Sequence, residues 1–525
     1  MRRRDFIRGS AAGLAALAAP RVVLAQANRV LRYKPNNDLT VIDPIYTSVF
    51  VTRYHANAVF DTLYGQDNNL NPHPQMVEGH VIENDDRLWR LKLRDGLKFH
   101  DGERVLARDA VASIRRWARA DAFGQALMAA TDELDAPSDN EIRFRLSRPF
   151  PLLPAALGKS STFVPAIMPE RLAKADITRP LTEAVGSGPY RFVASERVIG
   201  QRTVYEKFAD YVPRPDGRSE YTSGPKIAYI DRVEWRVIPD QATAAAALRK
   251  GEIDWFEDPI SDLLPMLRGD PGIVVETINK LGNMGIVRFN HLLAPFDNPQ
   301  IRRAAARAVS QTEMMQAVAG DTWSDDVGFF CPESPMASTA GLPIAAKEPD
   351  YAAIKRELAQ AGYKGETITL LGAPQSPGIQ LEAEILNDQL RRAGMNVDFV
   401  LLDFGNWLQR RNNREAPERG GWNALTTFLP GQELWDPAGH LGLRGNKLAA
   451  WSGWPDSPKL EALRDAWFAA GTEDARRAIC RDMQLQAIED VPYVPSGRWT
   501  AATAYRKGLT NVSRYIPLFY NLKLA

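Results

Sequence analysis

Residues 89–120 read WRLKLRDGLKFHDGERVLARDAVASIRRWARA, and the reading of this stretch decides the fold. Trp89, Leu91 and Leu93 alternate with Arg90, Lys92 and Arg94, the period of two expected of a half-buried strand. Asp95-Gly96 supplies a tight turn, Leu97–His100 a short strand, and Asp101-Gly102 a second turn. From Ala107 the spacing changes, and Ala107, Ala110, Val111, Ile114 and Ala118 share one face of a helix. Chemistry alone makes this a hairpin feeding a helix, a unit with no activity attached.

The N-terminus carries an export pattern. Arg2-Arg3-Arg4-Asp5-Phe6-Ile7-Arg8 precedes a run of small apolar residues, Ala11–Ala19, then Pro20 and Val23-Leu24-Ala25. This is the order of a twin-arginine signal peptide cleaved after Ala25, before Gln26. The run falls short of the ~20 apolar residues that a membrane span needs. No Cys follows it, which argues against a lipid anchor. The expected compartment is the periplasm. Residues 1–25 hold five arginines against Asp5, a net of +4, so the chain total of +1 leaves residues 26–525 at −3. A slightly acidic protein without a basic block has no electrostatic footprint for nucleic acid. The two cysteines, Cys331 and Cys480, lie far apart without metal-ligand spacing and are expected to be buried thiols.

At 525 residues the chain is too long for one ordinary core and predicts an α/β protein of two or three domains. Tyr54–Leu63 is expected to be helical, and Gln241–Leu248 forms an Ala-rich helix closed by Gly251. Asn298 can cap a helix whose first turn holds Pro299, and Gly362 can stop the helix Tyr351–Tyr363. The order strand Thr367–Leu371, helix Gln380–Ala393, strand Asn396–Asp403 indicates parallel pairing with a covering helix.

Several of these segments carry a resemblance. LRDGLKFHDG followed by ARDAVASIRR closely resembles the signature of bacterial extracellular solute-binding proteins of family 5, the dipeptide, oligopeptide and nickel-binding group. Gly186-Ser187-Gly188-Pro189-Tyr190 is similar to that family's Gly-Thr-Gly-Pro-Tyr turn. LRKGEIDWF (Leu248–Phe256), YAAIKRELAQAGY (Tyr351–Tyr363) and DMQLQAIEDVPYVP (Asp482–Pro495) resemble further family segments in the family's order.

The sequence carries none of the common catalytic constellations. There is no G-x-S-x-G elbow, no H-E-x-x-H helix and no G-x-G-x-x-G after a strand. Gly158-Lys159-Ser160 mimics the end of a phosphate loop, but Leu153 stands where the first glycine is needed. The six histidines are scattered without ligand spacing, so neither a metal nor a cofactor is expected.

What the resemblance implies is binding. It implies a two-lobed, hinge-bending periplasmic binding protein with an extra subdomain inserted in lobe I. Residues 26–70, 186–290 and 491–525 would form lobe I, 71–185 the inserted subdomain and 291–490 lobe II. The crossings between lobes are expected near Asn283–Asn290 and Pro492–Ser496. The cleft would be lined by Tyr46, Thr47 and Ser48, by Asn283, by Trp407, and by Phe428, Gln432, Glu433 and Trp435 within Asn423–Trp435. If Trp407 faces the cleft, its removal should weaken ligand binding and leave the unliganded protein's stability nearly unchanged. Peptide binders of the family carry an Asp in lobe II that pairs with the ligand's amino terminus. No Asp stands at that place in Thr426–Glu433, so either Glu433 takes the role or the ligand is not a peptide with a free amine. The implied partners are a small ligand and the permease subunits of an ATP-driven importer, with the binding protein itself a monomer. Peptides lead the ligand classes, with opines, glutathione-like compounds, oligosaccharides and metal chelates beside them. An exported enzyme is the rival reading.

Overall fold

The computed structural model of the chain describes residues 29–319 and 322–524. The signal peptide expected at 1–25 lies outside them. Among the described residues no helix is long and apolar enough to cross a membrane.

Two large sheets define two lobes. The first has seven strands, in the spatial order Ile273–Glu276, Thr503–Arg506, Trp255–Phe256, Val30–Lys34, Arg232–Arg236, Arg202–Lys207 and Tyr190–Phe192. Val30–Lys34 runs parallel to both of its neighbours, with Tyr33 opposite Trp255 on one side and Trp235 on the other. Strands covered on both faces need apolar side chains throughout. Here Tyr33, Trp235, Trp255 and Phe519 meet edge to face or tilted, with centroids 5.2–6.2 Å apart.

The second sheet has six strands, in the order Trp323–Ser324, Val494–Trp499, Asn283–Phe289, Ala424–Pro430, Thr367–Gly372 and Asn396–Leu401. Thr367–Gly372 and Asn396–Leu401 pair in parallel, and the helix Pro377–Arg392 between them covers the sheet, as their order in the chain predicts. Asn298 accepts a hydrogen bond from Gln300 N at the start of the helix Pro299–Arg307, satisfying one of the free amides there.

These sheets correct the expected lobe boundaries. Asn283–Phe289 and Val494–Trp499 are neighbouring strands of the second sheet, not crossings. The chain passes between lobes at 277–282 and again at 500–502. An apolar run identifies a strand but not the sheet that strand joins, so boundaries at 290/291 and 490/491 cut off two strands that belong to the second lobe. The two crossings are stitched together: Arg498 donates through Nε to Leu281 O at 2.9 Å and through Nη2 to Lys280 O at 2.5 Å. Gly282 has a φ of +69°, and a Cβ there would stand 2.5 Å from Trp499 O.

The stretch 89–120 builds a third, four-stranded antiparallel sheet: Val77–Glu83, Leu88–Leu93, Glu141–Leu146 and Thr131–Ser138. The amphipathic helix Ala107–Ala120 packs on it. The short strand expected at Leu97–His100 is a turn instead, closed by a bridge between Lys98 and Arg104, because Asp101-Gly102 reverses the chain too soon for a ladder. A buried ion pair fixes this unit to the first lobe, Arg116 Nη2 to Asp43 Oδ2 at 2.7 Å, with Leu181 N donating to the same oxygen. Its apolar core also continues into the second lobe, where Phe468 lies 5.7 Å from Phe123 and 6.0 Å from Phe150.

Both cysteines are free and buried. Burial pushes the Cys331 thiol up to about 12. Other helix starts and ends differ from expectation by a few residues: the helix expected at Tyr54–Leu63 spans Phe50–Val59.

Glu382, on Pro377–Arg392, is wholly buried beneath the second sheet. Its Oε1 accepts from Ser496 Oγ at 2.8 Å, and its Oε2 has no partner. Burial pushes this carboxyl up to about 8 from an ordinary 4.5. The folded state therefore holds the proton more tightly than the unfolded chain. The stability tied to that proton is fully present below about pH 4.5 and is lost as pH rises through about 8. Glu382→Gln should flatten that slope, so that the gap in melting temperature between variant and parent grows in the variant's favour from pH 5 to pH 8.5. Melting curves across that range read it directly.

Candidate functional site

The lobes meet at the carboxyl ends of two parallel strands of the first sheet, the edge at which open α/β sheets gather ligands. Beyond Val30–Lys34 come Asn36 and Asn37, and beyond Trp255–Phe256 come Glu257 and Asp258. The helix Phe50–Val59 adds Phe50, Arg53 and Tyr54, three and four residues apart and so on one face. Opposite stand the strand Ala424–Pro430, carrying Thr427, Phe428 and Leu429, and the helix Phe404–Arg411. Asp403 caps that helix by accepting from Asn406 N, which places Trp407 and Arg411 one turn apart toward the cleft.

Phe50 and Phe428 touch across the cleft, edge to face at 5.7 Å, and divide it. On one side lies a small cavity of about 50 Å³ walled by Asn36, Ser48, Ser376, Trp407, Arg411 and Trp451 among others. On the other lies one of about 70 Å³ walled by Arg53, Tyr54, Glu257, Asp258, Asn283 and Tyr515 among others. Both contain residues of each lobe.

The second cavity is acidic. Glu257 is held by three donors: Tyr33 Oη at 2.6 Å and Asn36 N at 2.7 Å on Oε2, and Tyr54 Oη at 2.7 Å on Oε1. Burial raises its pKa while those donors oppose the rise. Burial, together with the Glu257 charge beside it, pushes Asp258 up to about 7 against the pull of Lys34. Lys34 is itself shifted down by burial. Two adjacent carboxylates, one of them able to shed its proton near neutrality, suit a cationic group.

A separate contact bolts the lobes together. Glu433 Oε1 accepts from Arg53 Nη1 at 2.9 Å, from Thr162 N at 2.6 Å and from Thr162 Oγ1 at 2.8 Å. Arg53 is 4% and Glu433 1% exposed, so this pair spans the interface almost wholly buried. That corrects the expectation for Glu433, whose charge is already neutralised by an arginine of this chain rather than held ready for a ligand amine.

The other expected site residues divide. Ser48, Trp407, Asn283 and Phe428 line the cavities. Tyr46 points away, 44% exposed, with its hydroxyl 3.5 Å from Thr178 O. Thr47, Gln432 and Trp435 lie outside both cavities, although Gln432 is buried with neither its amide nitrogen nor its oxygen bonded. Trp407 is 1% exposed and stacks on Phe404 inside a cluster with Leu371, Ile379, Trp422 and Trp454. It belongs to the core as much as to the cleft, which corrects the expectation that its loss leaves stability unchanged. Missed in the sequence were Phe50, Arg53, Glu257, Asp258 and Arg411. A usable signal existed for the acids, since Glu257-Asp258 directly follow the strand that ends LRKGEIDWF. Among the described residues no group of His, Cys, Asp and Glu is placed to hold a metal ion.

Comparison with known proteins accords with this geometry. Residues 71–426 match the family described as bacterial extracellular solute-binding proteins, family 5 Middle. A probable peptide ABC transporter periplasmic-binding protein of Sinorhizobium fredii is 34% identical over all of this chain and 99% of its own. Among solved structures, the PBP AgaA from A. tumefaciens R10 with agropinic acid has a TM-score of 0.80 at 20% identity, covering 94% of this chain and 99% of that one. The periplasmic binding protein DppA from Helicobacter pylori, in complex with peptide STSA, has a TM-score of 0.78 at 21% identity, covering 95% and 98%. These structural likenesses show the two-lobed fold.

Two outcomes follow from the contacts. Arg53→Ala leaves Glu433 buried without its cation, at a cost of roughly 3–5 kcal/mol to the closed arrangement, and small-angle scattering should show a larger radius of gyration for the unliganded variant. Trp407→Ala should lower the unliganded protein's unfolding free energy by about 3–5 kcal/mol in urea titrations, as expected for a large buried aromatic.

Proposed function

Because the chain belongs to the bacterial extracellular solute-binding proteins of family 5, we propose that it is the periplasmic receptor of an ATP-driven importer and that its ligand is a short peptide. Its work is binding rather than reaction: the lobes part, a ligand enters, and the closed form is what the inner-membrane permease recognises. The observation that carries this reading is the cleft itself, two adjoining cavities shared by both lobes, with an arginine on the wall of one and paired carboxylates in the other. A peptide zwitterion has an ammonium at one end and a carboxylate at the other, and the spacer between them has the extended, partly apolar character that Phe50 and Phe428 can flank. The full-length similarity to a probable peptide transporter component supports the same ligand class. In this reading the acid missing from the second lobe is replaced from the first, by Asp258 with Glu257. Export through the twin-arginine route, cleavage after Ala25 and action as a monomer complete the proposal.

A second reading has one observation in its favour: a close structural likeness was solved with agropinic acid, which makes an opine-like carboxylate the alternative ligand.

Isothermal titration with di- to pentapeptides tests the function. Tight binding of at least one peptide supports it, and binding of opine-like acids alone moves the protein to the second reading. The acid pair sets a pH dependence with a definite sign. A ligand ammonium needs Asp258 ionised, and this carboxyl holds its proton up to about 7. Affinity for amine-bearing peptides should therefore fall as pH drops from 8 to 5.5, with proton release on binding at the lower end. N-acetylated peptides, and all peptides on Asp258→Asn, should lack that dependence.

A further inference from the structure

The helix Ala107–Ala120 buries Ala107, Ala110, Ile114 and Trp117 in the core beneath the four-stranded sheet and turns other residues outward. Arg108, Arg115 and Arg119 are exposed. At about 3.6 residues per turn they fall within about 40° of one line and spread over about 16 Å of the helix. That line runs along a groove of about 550 Å³, far larger than either cleft cavity, between this helix, the strand Thr131–Ser138 and the single helical turn Glu170–Ala173. The groove exists because its floor is low: Ala112, Ala136 and Ala173 stand where larger side chains would fill it, beside Val111 and Leu134.

The charge of this groove is one-sided. Arg108, Arg115, Arg116, Arg119 and Lys174 line it, against Asp135 and Glu170. Arg116 is committed to Asp43, and Asp135 to Arg143, which grips it through two nitrogens at 2.9 and 2.5 Å. Arg108 and Lys174 share Glu170, at 3.8 and 2.7 Å. Among the described residues Arg115 and Arg119 have no ion-pair partner, and Arg115 gives Nη2 only to the carbonyl of Leu134. Thr178, and less so the charge of Arg119, holds the Asp176 carboxyl below its ordinary range, and both of its oxygens are bonded to Thr178. Three positive charges are thus left uncancelled along one concave line, in a chain whose residues 26–525 sum to −3. Charge concentrated against the sign of the whole steers and selects an acidic partner. A bilayer is flat and would meet only the rim. A free phosphate needs no apolar floor, and a nucleic-acid strand stacks on aromatic faces, of which this lining has none. An extended acidic peptide fits every property: roughly five residues at about 3.3 Å each cover the line, carboxylates reaching the arginines while alternate apolar side chains lie on the floor.

We propose that this groove binds an acidic, partly apolar segment of a partner protein in extended form, and does so whether the lobes are open or closed. Independence from closure follows from the walls, which come from 108–136 and 170–174 with none from the second lobe. Arg116 Nη1 donates to Ala175 O at 2.7 Å and so holds the two helical walls together. The contact is separate from the solute cleft and from recognition of the closed form, and it keeps the protein at its partner between rounds of loading. It is independent of the solute-receptor reading, and either can fail alone.

The probe is a fluorescent peptide of alternating glutamate and leucine, blocked at both ends so that it offers the cleft no terminal charge, and its anisotropy is read against the full mature chain. The parent should bind it, and Arg115→Glu with Arg119→Glu should weaken binding by roughly 10-fold or more. Arg477→Glu with Arg481→Glu makes the same change of net charge on the exposed part of the helix Glu473–Asp490 and should leave binding as in the parent. Ala136→Phe fills the floor without changing charge and should also weaken it, whereas Arg115→Lys with Arg119→Lys should keep most of it. Arg53→Ala, in which the lobes are freed, should bind as the parent does. Absence of binding by the parent overturns the assignment. So does an equal loss in the two charge reversals, or full binding by Ala136→Phe, either of which leaves only general attraction between charges. Loss of binding in Arg53→Ala overturns the independence from closure. Arginine-dependent binding to phosphatidylglycerol vesicles, with none to the peptide, gives the groove to a lipid surface and overturns the protein partner.

Discussion

The closed arrangement turns on one ion pair. Arg53 of the first lobe and Glu433 of the second are separated by 380 positions in sequence and by 2.9 Å in space, with almost no exposure to water. Each ion would cost several kcal/mol to bury alone, so neither position is tolerable except in the presence of the other. The pair exists only while the lobes are together, and on opening both ions recover water. Its net contribution is thereby small against the sum of its parts, which is what a reversible closure requires. A latch worth tens of kcal/mol would never release. Thr162, bonded twice to the same carboxylate oxygen, ties the segment after the four-stranded sheet to this bolt. The contact of Phe468 with Phe123 and Phe150 adds an apolar seam on that side.

Closure of this kind is useful only if a ligand favours one state over the other, since a ligand with equal affinity for open and closed forms shifts nothing. The cleft supplies the differential. Both cavities have walls from each lobe, so a molecule touching both walls can do so only when they face one another. Charge is distributed unevenly between the two, with Glu257 and Asp258 beside an Arg53 already paired to Glu433 on one side of the Phe50–Phe428 contact, and the guanidinium of Arg411 on the other. That asymmetry also gives the ligand a direction. A zwitterion entering backwards would set like charges together at both ends, in surroundings too dry to screen them.

Much of the fold was legible in the chain. The alternation at Trp89–Leu93, the switch to helical spacing at Ala107, the Asn298-Pro299 start and the strand–helix–strand order around Pro377–Arg392 are local patterns with local causes. What could not be read locally was membership: Asn283–Phe289 is a strand by its own residues and a member of the second lobe only by its partners. The site divides in the same way. Trp407 could be noticed because it is rare and large, but whether it served core or cleft depended on Phe404, Trp422 and Trp454 around it. Arg411 reads as an ordinary basic residue at a helix C-terminus, where solvent and the helix dipole would satisfy it. One of the two rings against it, Trp451, lies 40 positions further on, where no local pattern points to it. Glu433 was visible as an acid near an expected place, while the arginine that claims it lies near the other end of the chain.

The two crossings at 277–282 and 500–502 leave neighbouring antiparallel strands side by side, with Asn283 opposite Trp499 and Arg498 tied back to Lys280 and Leu281. Two pins set next to each other allow a swing about one line and little else. Asn279, Asn283 and Ala501, at or beside those pins, wall the acidic cavity, whereas none of them walls the cavity of Arg411. The acidic cavity therefore sits nearer the spine of the book, and its walls move less than those of its neighbour as the covers part. The arginine rides on the moving page. A ligand held by both would meet them in sequence, its cationic end finding a preformed seat in the open protein and its anionic end being met later by a wall that travels. Association would then show two kinetic phases, the first governed by encounter and concentration, the second by the swing and indifferent to how much ligand is present.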